Sequence, residues 1–205
     1  MLFLNENDKA RIRQAIEDVE RRTAGELVTV IAQQSDDYLY IPTLWAALLA
    51  LAVPGVIGYL PFDTLHAHSY LTQFIVFLVL AVLFQWPPLK LRLIPRYIKV
   101  QRARRLAHMQ FLAQDLHHTS QRTGILLFVS IAEHYVEIIA DKGINDAVAT
   151  GTWDKIVNQF VNDVKQGQVT GGFITAIQQC GDVLIQHFPV AADDKNELPN
   201  HLVEL

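Results

Sequence analysis

The sequence contains a single cysteine, Cys180, so an internal disulfide is impossible and nothing in the fold requires an oxidising compartment. We expect Cys180 to be a small buried residue on a helix. The N-terminus lacks a basic segment followed by an apolar stretch and a cleavage site, so we expect no signal peptide. Glycine-rich phosphate loops are also lacking, and no Ser, His and Asp set can be placed together. Nucleophilic catalysis therefore has no candidate residue.

Charged residues are scarce as well: they make up 19% of the chain, against 51% hydrophobic residues. Asp, Glu, Lys and Arg are all missing from residues 38–62 and again from residues 64–89. Each run exceeds the roughly 20 apolar residues that cross a bilayer. Aromatic residues lie near the ends of both runs, as is typical of membrane interfaces. The sequence therefore predicts a transmembrane helical hairpin with cores at 41–60 and 70–89; a pair of buried core helices is the alternative.

Basic residues are concentrated directly after the second run. The loop between the runs has no Lys or Arg, whereas the following segment carries Lys90, Arg92, Arg96, Lys99, Arg102, Arg104 and Arg105. By the positive-inside rule, both termini and the soluble part lie in the cytoplasm and the loop lies outside. The cluster is either a topology signal alone or a binding surface for anionic lipid headgroups. Because the formal net charge is -4, we expect no nucleic-acid partner.

The segments that flank the hairpin predict one soluble domain. A helix at residues 6–22 begins with Asn5 and Asp8, an arrangement that resembles a capping box. A strand rich in β-branched residues follows at 26–34. After the hairpin, a helix at 98–118 is predicted to face inward through the side chains Leu106, Met109, Leu112, Ala113 and Leu116.

Two further strands and two further helices complete the predicted domain. The segment "GILLFVSIA" is the second strand and "YVEIIAD" the third, with only Glu133 and His134 between them, so they form an antiparallel hairpin. The long crossover sets strands one and two parallel. Helices follow from Thr152 and at 170–188. The tail from residue 191 is predicted to be disordered.

Three blocks of this pattern resemble the TPM domain. They are "LNENDKARIRQAIEDVERRTAGELVTVIAQQSDD", "RTGILLFVSIAEHYVEIIADKGI" and "TWDKIVNQFVNDVKQGQVTGGFITAIQQCGDVLIQHF". The resemblance implies an α/β/α sandwich, here split into residues 1–37 and 90–190 by a hairpin at 38–89, with a flexible tail at 191–205. The inserted hairpin resembles a group of bacterial membrane proteins, which implies a multi-pass protein of the cytoplasmic (inner) membrane.

The family resemblance also implies activities for parts of the family: divalent-metal binding and acid-phosphatase activity for some members, and regulation of a partner protein for others. Calcium is the metal we consider. This chain departs from the family in "KQGQVTGG", before the last helix, where family members commonly carry acidic residues. That departure weakens transfer of the metal site.

Carboxylates at two opposite ends of the predicted sheet are the candidate metal ligands. Asp36 and Asp37 follow the first strand and are expected near Glu133 and His134, which would supply hard oxygen ligands and one nitrogen. Asp36 and Asp37 have an alternative interpretation as a solvated loop beside the membrane.

Asp141 ends the antiparallel third strand, about 20 Å from that group at roughly 3.3 Å per residue. It forms a second candidate cluster with Asp146, near Arg22, Glu26 and Arg122. Asp141 is either a turn or capping residue or part of a metal or phosphate site. His117 and His118 are interpreted as complementing a helix dipole at its C-terminus.

The sequence leaves two hypotheses for function. The first is a non-catalytic, membrane-anchored binding or regulatory module that docks to another membrane or membrane-associated protein. The alternative is a weak metal-dependent acid phosphatase, an activity that rests on the family resemblance alone.

Overall fold

The computed structural model describes residues 4–57, 69–119, 121–190 and 202–205. It divides into two compact units: unit 1 is Met1–Ser35 together with Val100–Leu205, and unit 2 is Asp36–Lys99. The division predicted from the sequence, with a hairpin at residues 38–89, stays a prediction. Within unit 2, Leu91, Ile94 and Ile98 pack around Tyr38 and Ile41.

A mixed sheet forms the centre of unit 1. Within the described residues its strands are β1 (Glu26–Ala32), β2 (Gly124–Ser130), β3 (Tyr135–Ala140) and β4 (Leu202–Glu204). They lie in the order β3-β2-β1-β4. The predicted parallel β1–β2 pair and antiparallel β2–β3 pair are both confirmed. Every residue of β1 and β2 is buried, as two-sided apolar strands predict when helices cover both faces of a sheet.

The last residues of the chain contradict the prediction of a flexible tail extending to residue 205. β4 pairs in parallel with β1, with Leu202 opposite Thr29. Leu202 is buried in the main core, and Lys9 pairs with Glu204 at 2.9 Å. The sequence does not predict strand β4 because the segment has few apolar residues. A single leucine buried at a sheet edge gives no periodic pattern. Residues 191–201 lie outside the described residues.

One face of the sheet is covered by α1 (Glu6–Glu20), α7 (Thr152–Lys165) and α8 (Val169–His187). The predicted capping box of α1 is confirmed: the Asp8 backbone N–H donates to Asn5 Oδ1 at 2.8 Å, and the Asn5 N–H donates to Asp8. The three helices bury a shared core with alternate residues of β1 and β2, and Cys180 lies in it as predicted. Its burial raises the pKa of the Cys180 thiol to about 12.

The other face is covered by α5 (Arg96–Ala113). The predicted inward face is confirmed for Leu116 and Leu106 but wrong for Met109, Leu112 and Ala113. The buried residues are Ala103, Ala107 and Phe111, spaced by four, and they pack on the second set of strand side chains. Met109 and Leu112 are instead exposed, at 49% and 56%. Small alanines let a helix approach a sheet closely, and a pattern search that counts only large apolar residues misses such a face.

Unit 2 consists of α2 (Tyr40–Ile57), α3 (Ser69–Leu83) and α4 (Pro87–Leu93). The predicted second span, residues 70–89, is not one helix: α3 and α4 are bent by 103° at the break between them. Two consecutive prolines cause the break, since a residue before proline avoids helical geometry and Trp86 has ψ 122°. In the described ranges, no single helix has both the length and the apolarity for a membrane crossing, and only the bent α3–α4 pair does so jointly.

Candidate functional site

The turn between β2 and β3 holds a buried glutamate. The Glu133 carboxylate accepts a hydrogen bond from Ser130 Oγ and another from the Ser35 backbone N–H, the second at 3.0 Å. Only 7% of Glu133 is exposed. Its neighbour His134 is exposed and has a left-handed backbone, with φ 52°. Both oxygens of Glu133 are thus engaged in closing the turn, which spans residues 131–134 rather than the two residues predicted.

Asp36 and Asp37 begin unit 2. Asp36 Oδ1 accepts a hydrogen bond from the Tyr38 backbone N–H at 2.8 Å, which stabilises a left-handed Tyr38 at φ 51°. The Asp37 carbonyl accepts from Lys90 Nζ at 2.7 Å. Glu133 and His134 belong to unit 1, so the proposed four-residue metal site stays a prediction.

At the opposite end of the strands, Asp141 has a structural role. It is the N-cap of α6 (Lys142–Asn145), and its Oδ1 accepts from the Lys142 backbone N–H at 2.6 Å. Its Oδ2 lies 3.7 Å from Arg122 Nε, as the predicted proximity of Arg122 requires. Asp146 is the exposed C-cap of the same short helix. A carboxylate that caps a helix and faces a guanidinium fits a cation poorly, because the positive neighbour opposes binding.

Glu20, which is not among the residues selected from the sequence, is a described carboxylate whose acidity is strongly changed by its surroundings. Burial raises the pKa of Glu20 from 4.5 to about 8, with the negative charges of Glu26 and Glu17 adding to the effect. One oxygen accepts from the Leu27 backbone N–H at 3.2 Å, and the other is buried without a hydrogen-bond partner. A signal for this site exists in the sequence: Glu20 continues the four-residue spacing of Ile12 and Ile16 along the buried face of α1.

A second group that the sequence analysis did not select lies between α5 and β2. One nitrogen or carboxylate oxygen from each of Asp115, His117 and His118 lies within 4.8 Å of one from each of the others. Within the described part of the chain, these three residues form a group of His, Cys, Asp or Glu side chains that are spaced closely enough to hold a metal ion. The D-x-H-H pattern was its signal. The sequence predicts that the histidines lie at a helix end, but α5 ends before them and they belong to a 3₁₀ turn, Leu116–His118.

The basic cluster is divided between α4 and α5. Lys90 and Arg92 lie in the last turn of α4, and the other five residues lie on α5. Arg104 pairs with Glu137 of β3 at 3.7 Å while 65% of its side chain stays exposed. Glu137 also accepts a hydrogen bond from the Tyr135 hydroxyl at 2.9 Å, and burial together with this contact raises the pKa of Tyr135.

Comparisons with known proteins bear on the fold. The family model of the TPM domain matches residues 94–183. The structure is similar to the NMR structure of BA42 protein from the psychrophilic bacterium Bizionia argentinensis, with a TM-score of 0.62 and 22% sequence identity. That similarity covers 99% of this chain and 96% of BA42. No curated protein matches the chain. Residues 94–183 are thus similar to the TPM domain, and the likeness to BA42 concerns the fold alone.

Proposed function

We propose that this chain holds its TPM domain at the cytoplasmic face of a bacterial inner membrane, where it acts as a binding and regulatory module for another membrane protein. The observation that carries the proposal is the exposed apolar surface of unit 2. On α2 and α3 the side chains that are 43% to 86% exposed include Leu44, Trp45, Leu48, Leu49, Leu51, Tyr70, Leu71, Phe74, Ile75, Leu78, Val79, Val82 and Leu83. Contiguous apolar surface of this extent is typical of membrane or protein contacts.

The dimensions of the helices are compatible with embedding. At 1.5 Å per residue, the 18 residues of α2 extend about 27 Å, and the 15 residues of α3 about 22 Å. The hydrocarbon core of a bilayer is about 30 Å thick. The uncharged sequence continues past α2 to residue 62 and begins before α3 at residue 64. Each apolar stretch therefore reaches the roughly 20 residues of a crossing when these adjoining residues are included.

Charge supports the orientation. Lys90 and Arg92 on α4, followed by the basic residues of α5, come directly after the second apolar stretch. Cytoplasmic flanks carry such an excess of Lys and Arg. Anionic headgroups attract juxtamembrane basic residues by about 1 kcal/mol each, so this segment would hold unit 1 near the inner leaflet.

The contacts of Asp141 favour a binding module over a phosphatase. Its two oxygens face the Lys142 N–H and the Arg122 guanidinium, so its carboxylate stabilises the β3–α6 junction. A catalytic carboxylate for metal-assisted hydrolysis has to direct its oxygens toward an ion instead.

Membrane embedding is tested by fractionating cells that express the full chain. We expect the protein to stay in the membrane fraction after alkaline and high-salt washes. Leu78→Lys on α3 is expected to release it, because Lys at the centre of a span costs roughly 2.5 to 3.5 kcal/mol. Leu112→Lys replaces a leucine on α5 of unit 1 that is 56% exposed, against 46% for Leu78; it is the matched control and should leave fractionation unchanged. Recovery of the unaltered chain in the soluble fraction would refute embedding.

Orientation is tested with an impermeant thiol reagent on intact cells. Cys180 is buried, so the folded parent protein is expected to stay unlabelled. A cysteine introduced at His66 in the predicted outer loop should be labelled, whereas one introduced at Asp154 on α7 should react only after lysis. If the cysteine at position 154 is labelled in intact cells, α7 lies outside the cell and the proposed orientation is wrong.

An assay of phosphate-ester hydrolysis distinguishes the two hypotheses, a binding module and a metal-dependent phosphatase. The purified chain and the variants Asp36→Asn, Asp37→Asn, Asp141→Asn and Asp146→Asn are compared for hydrolysis of a generic phosphate ester with and without Ca²⁺. If the chain is a module, no variant changes the background rate. A metal-dependent rate in the parent that one of these substitutions abolishes would favour the enzyme. Pull-downs in mild detergent with the hairpin intact then identify the partner.

A further inference from the structure

The turn that joins α5 to β2 brings two imidazoles and a carboxylate together. His118 Nδ1 lies 3.4 Å from Asp115 Oδ1, and the rings of His117 and His118 have their centroids 3.8 Å apart, tilted by 40°. A donor atom of each residue is within 4.8 Å of donors from both others.

These distances suit a small transition-metal ion. Zinc–nitrogen and zinc–oxygen bonds are about 2.0 to 2.2 Å, so the donors of a tetrahedral site are about 3.3 to 3.5 Å apart. Asp115 and His118 already have that separation, at 3.4 Å, and the donor of His117, within 4.8 Å of both others, needs an approach of roughly 1.3 Å or less. Two imidazole nitrogens and one carboxylate oxygen are donors for zinc, cobalt or nickel, whereas calcium prefers oxygen ligands alone.

His117 supplies an independent observation. Its Nδ1 is buried, and among the residues that the structure describes it has no hydrogen-bond partner. A buried polar atom without a partner is unfavourable, because it has lost its hydrogen bonds to water. A metal ion bound at this nitrogen would offset that cost.

The backbone around the three residues is fixed by its own contacts. Leu116, between Asp115 and His117, is fully buried in the core that α5 forms with β1 and β2. The His118 backbone N–H donates to the Asp115 carbonyl at 2.9 Å, and the Thr123 N–H donates to Thr119 Oγ1 at 2.9 Å. Ligands on a rigid backbone lose little entropy when they bind an ion.

We propose that Asp115, His117 and His118 bind one divalent first-row transition ion of the zinc type, with the fourth position open to water or an external ligand. The ion would hold together the 3₁₀ turn and the residue before it, in the segment between α5 and β2. This site is independent of the proposed membrane function, since all three ligands lie in unit 1.

The test uses the full chain in detergent, carrying a purification tag free of histidine. Co²⁺ is titrated in while the visible absorption of tetrahedral cobalt is followed, and Zn²⁺ is then added to displace it. We expect one equivalent of Co²⁺ to bind and one equivalent of Zn²⁺ to remove the signal.

Two variants remove ligands without disturbing the core. Asp115→Asn keeps a residue that tolerates the left-handed backbone at φ 55°, and His118→Ala truncates a side chain that is 70% exposed. Each is expected to weaken Co²⁺ and Zn²⁺ binding at least tenfold while the circular dichroism spectrum stays that of the parent. His108→Ala, at an exposed position of α5, is the matched control and should bind as the parent does.

The interpretation of the histidines as helix-dipole partners predicts another outcome. In that case Zn²⁺ binds weakly and with several equivalents, and His108→Ala reduces binding as much as His118→Ala. That result, or unchanged binding in both Asp115→Asn and His118→Ala, would overturn the proposed site.

Discussion

Replacing Glu20 by glutamine is expected to stabilise unit 1 at alkaline pH and to leave it unchanged at acidic pH. In the folded protein, burial raises the pKa of Glu20 to about 8, against an ordinary value of 4.5. The unfolded chain therefore loses this proton at about pH 4.5, and the folded chain retains it until about pH 8. Stability falls as the pH rises through that interval, because the folded state binds more protons than the unfolded state.

The magnitude follows from the separation of the two pKa values. One pKa unit corresponds to about 1.4 kcal/mol, which sets an upper limit of roughly 5 kcal/mol. Since the side chain is partly exposed, water reduces the effect to about 2 to 4 kcal/mol. For a chain of this size, 1 kcal/mol shifts Tm by about 2 to 4 °C, so Glu20→Gln should unfold roughly 4 to 16 °C higher at pH 9.

Thermal unfolding between pH 5 and pH 9, followed by circular dichroism in detergent, measures this difference. Glutamine keeps the oxygen that accepts from the Leu27 N–H, so the hydrogen bond is retained. Asp18→Asn removes one negative charge from the exposed side of α1 and controls for net charge. Equal pH profiles for the parent and Glu20→Gln would show that the Glu20 carboxyl is hydrated in the folded state, and would refute the reasoning.

Three further substitutions test packing, each by chemical or thermal unfolding in detergent. Gly124→Ala should destabilise unit 1 by about 1 to 3 kcal/mol, because its Cβ would overlap the Leu116 carbonyl oxygen, whereas Gly171→Ala meets ordinary contacts and should be neutral or stabilising. Phe160→Ala, at a 2% exposed position, should cost about 3 to 5 kcal/mol; a loss below 1 kcal/mol would place Phe160 outside the core. Leu202→Ala should cost about 2 kcal/mol or more if β4 stays paired in solution, and nothing if the tail is free.

Much of unit 1 was predictable because its signals are local. The capping box at Asn5 and Asp8 involves residues three apart, and the two-sided apolar pattern of β1 and β2 indicates burial on both faces. The β2–β3 hairpin followed from the short distance between two strands, and the parallel β1–β2 pair from the long crossover.

The candidate sites were less predictable because they depend on where each helix ends and on contacts between segments that are distant in the sequence. A helix that ends at Ala113 rather than at residue 118 converts two dipole-complementing histidines into a group with Asp115. Glu20 is an ordinary glutamate in the sequence, and only its position at the end of α1, hydrogen-bonded to Leu27 of β1, removes water from it.

The sequence by itself determined the α/β class, the capping box of α1 and the two-sided burial of β1 and β2, because periodicity and composition encode them within short segments. Tertiary structure decided the pairing of β4 with β1, the alanine face of α5 and the separate roles of the acidic residues. These features depend on contacts between residues that are far apart in the chain. The free energy of such contacts depends on burial by distant segments, which a short stretch of sequence does not indicate.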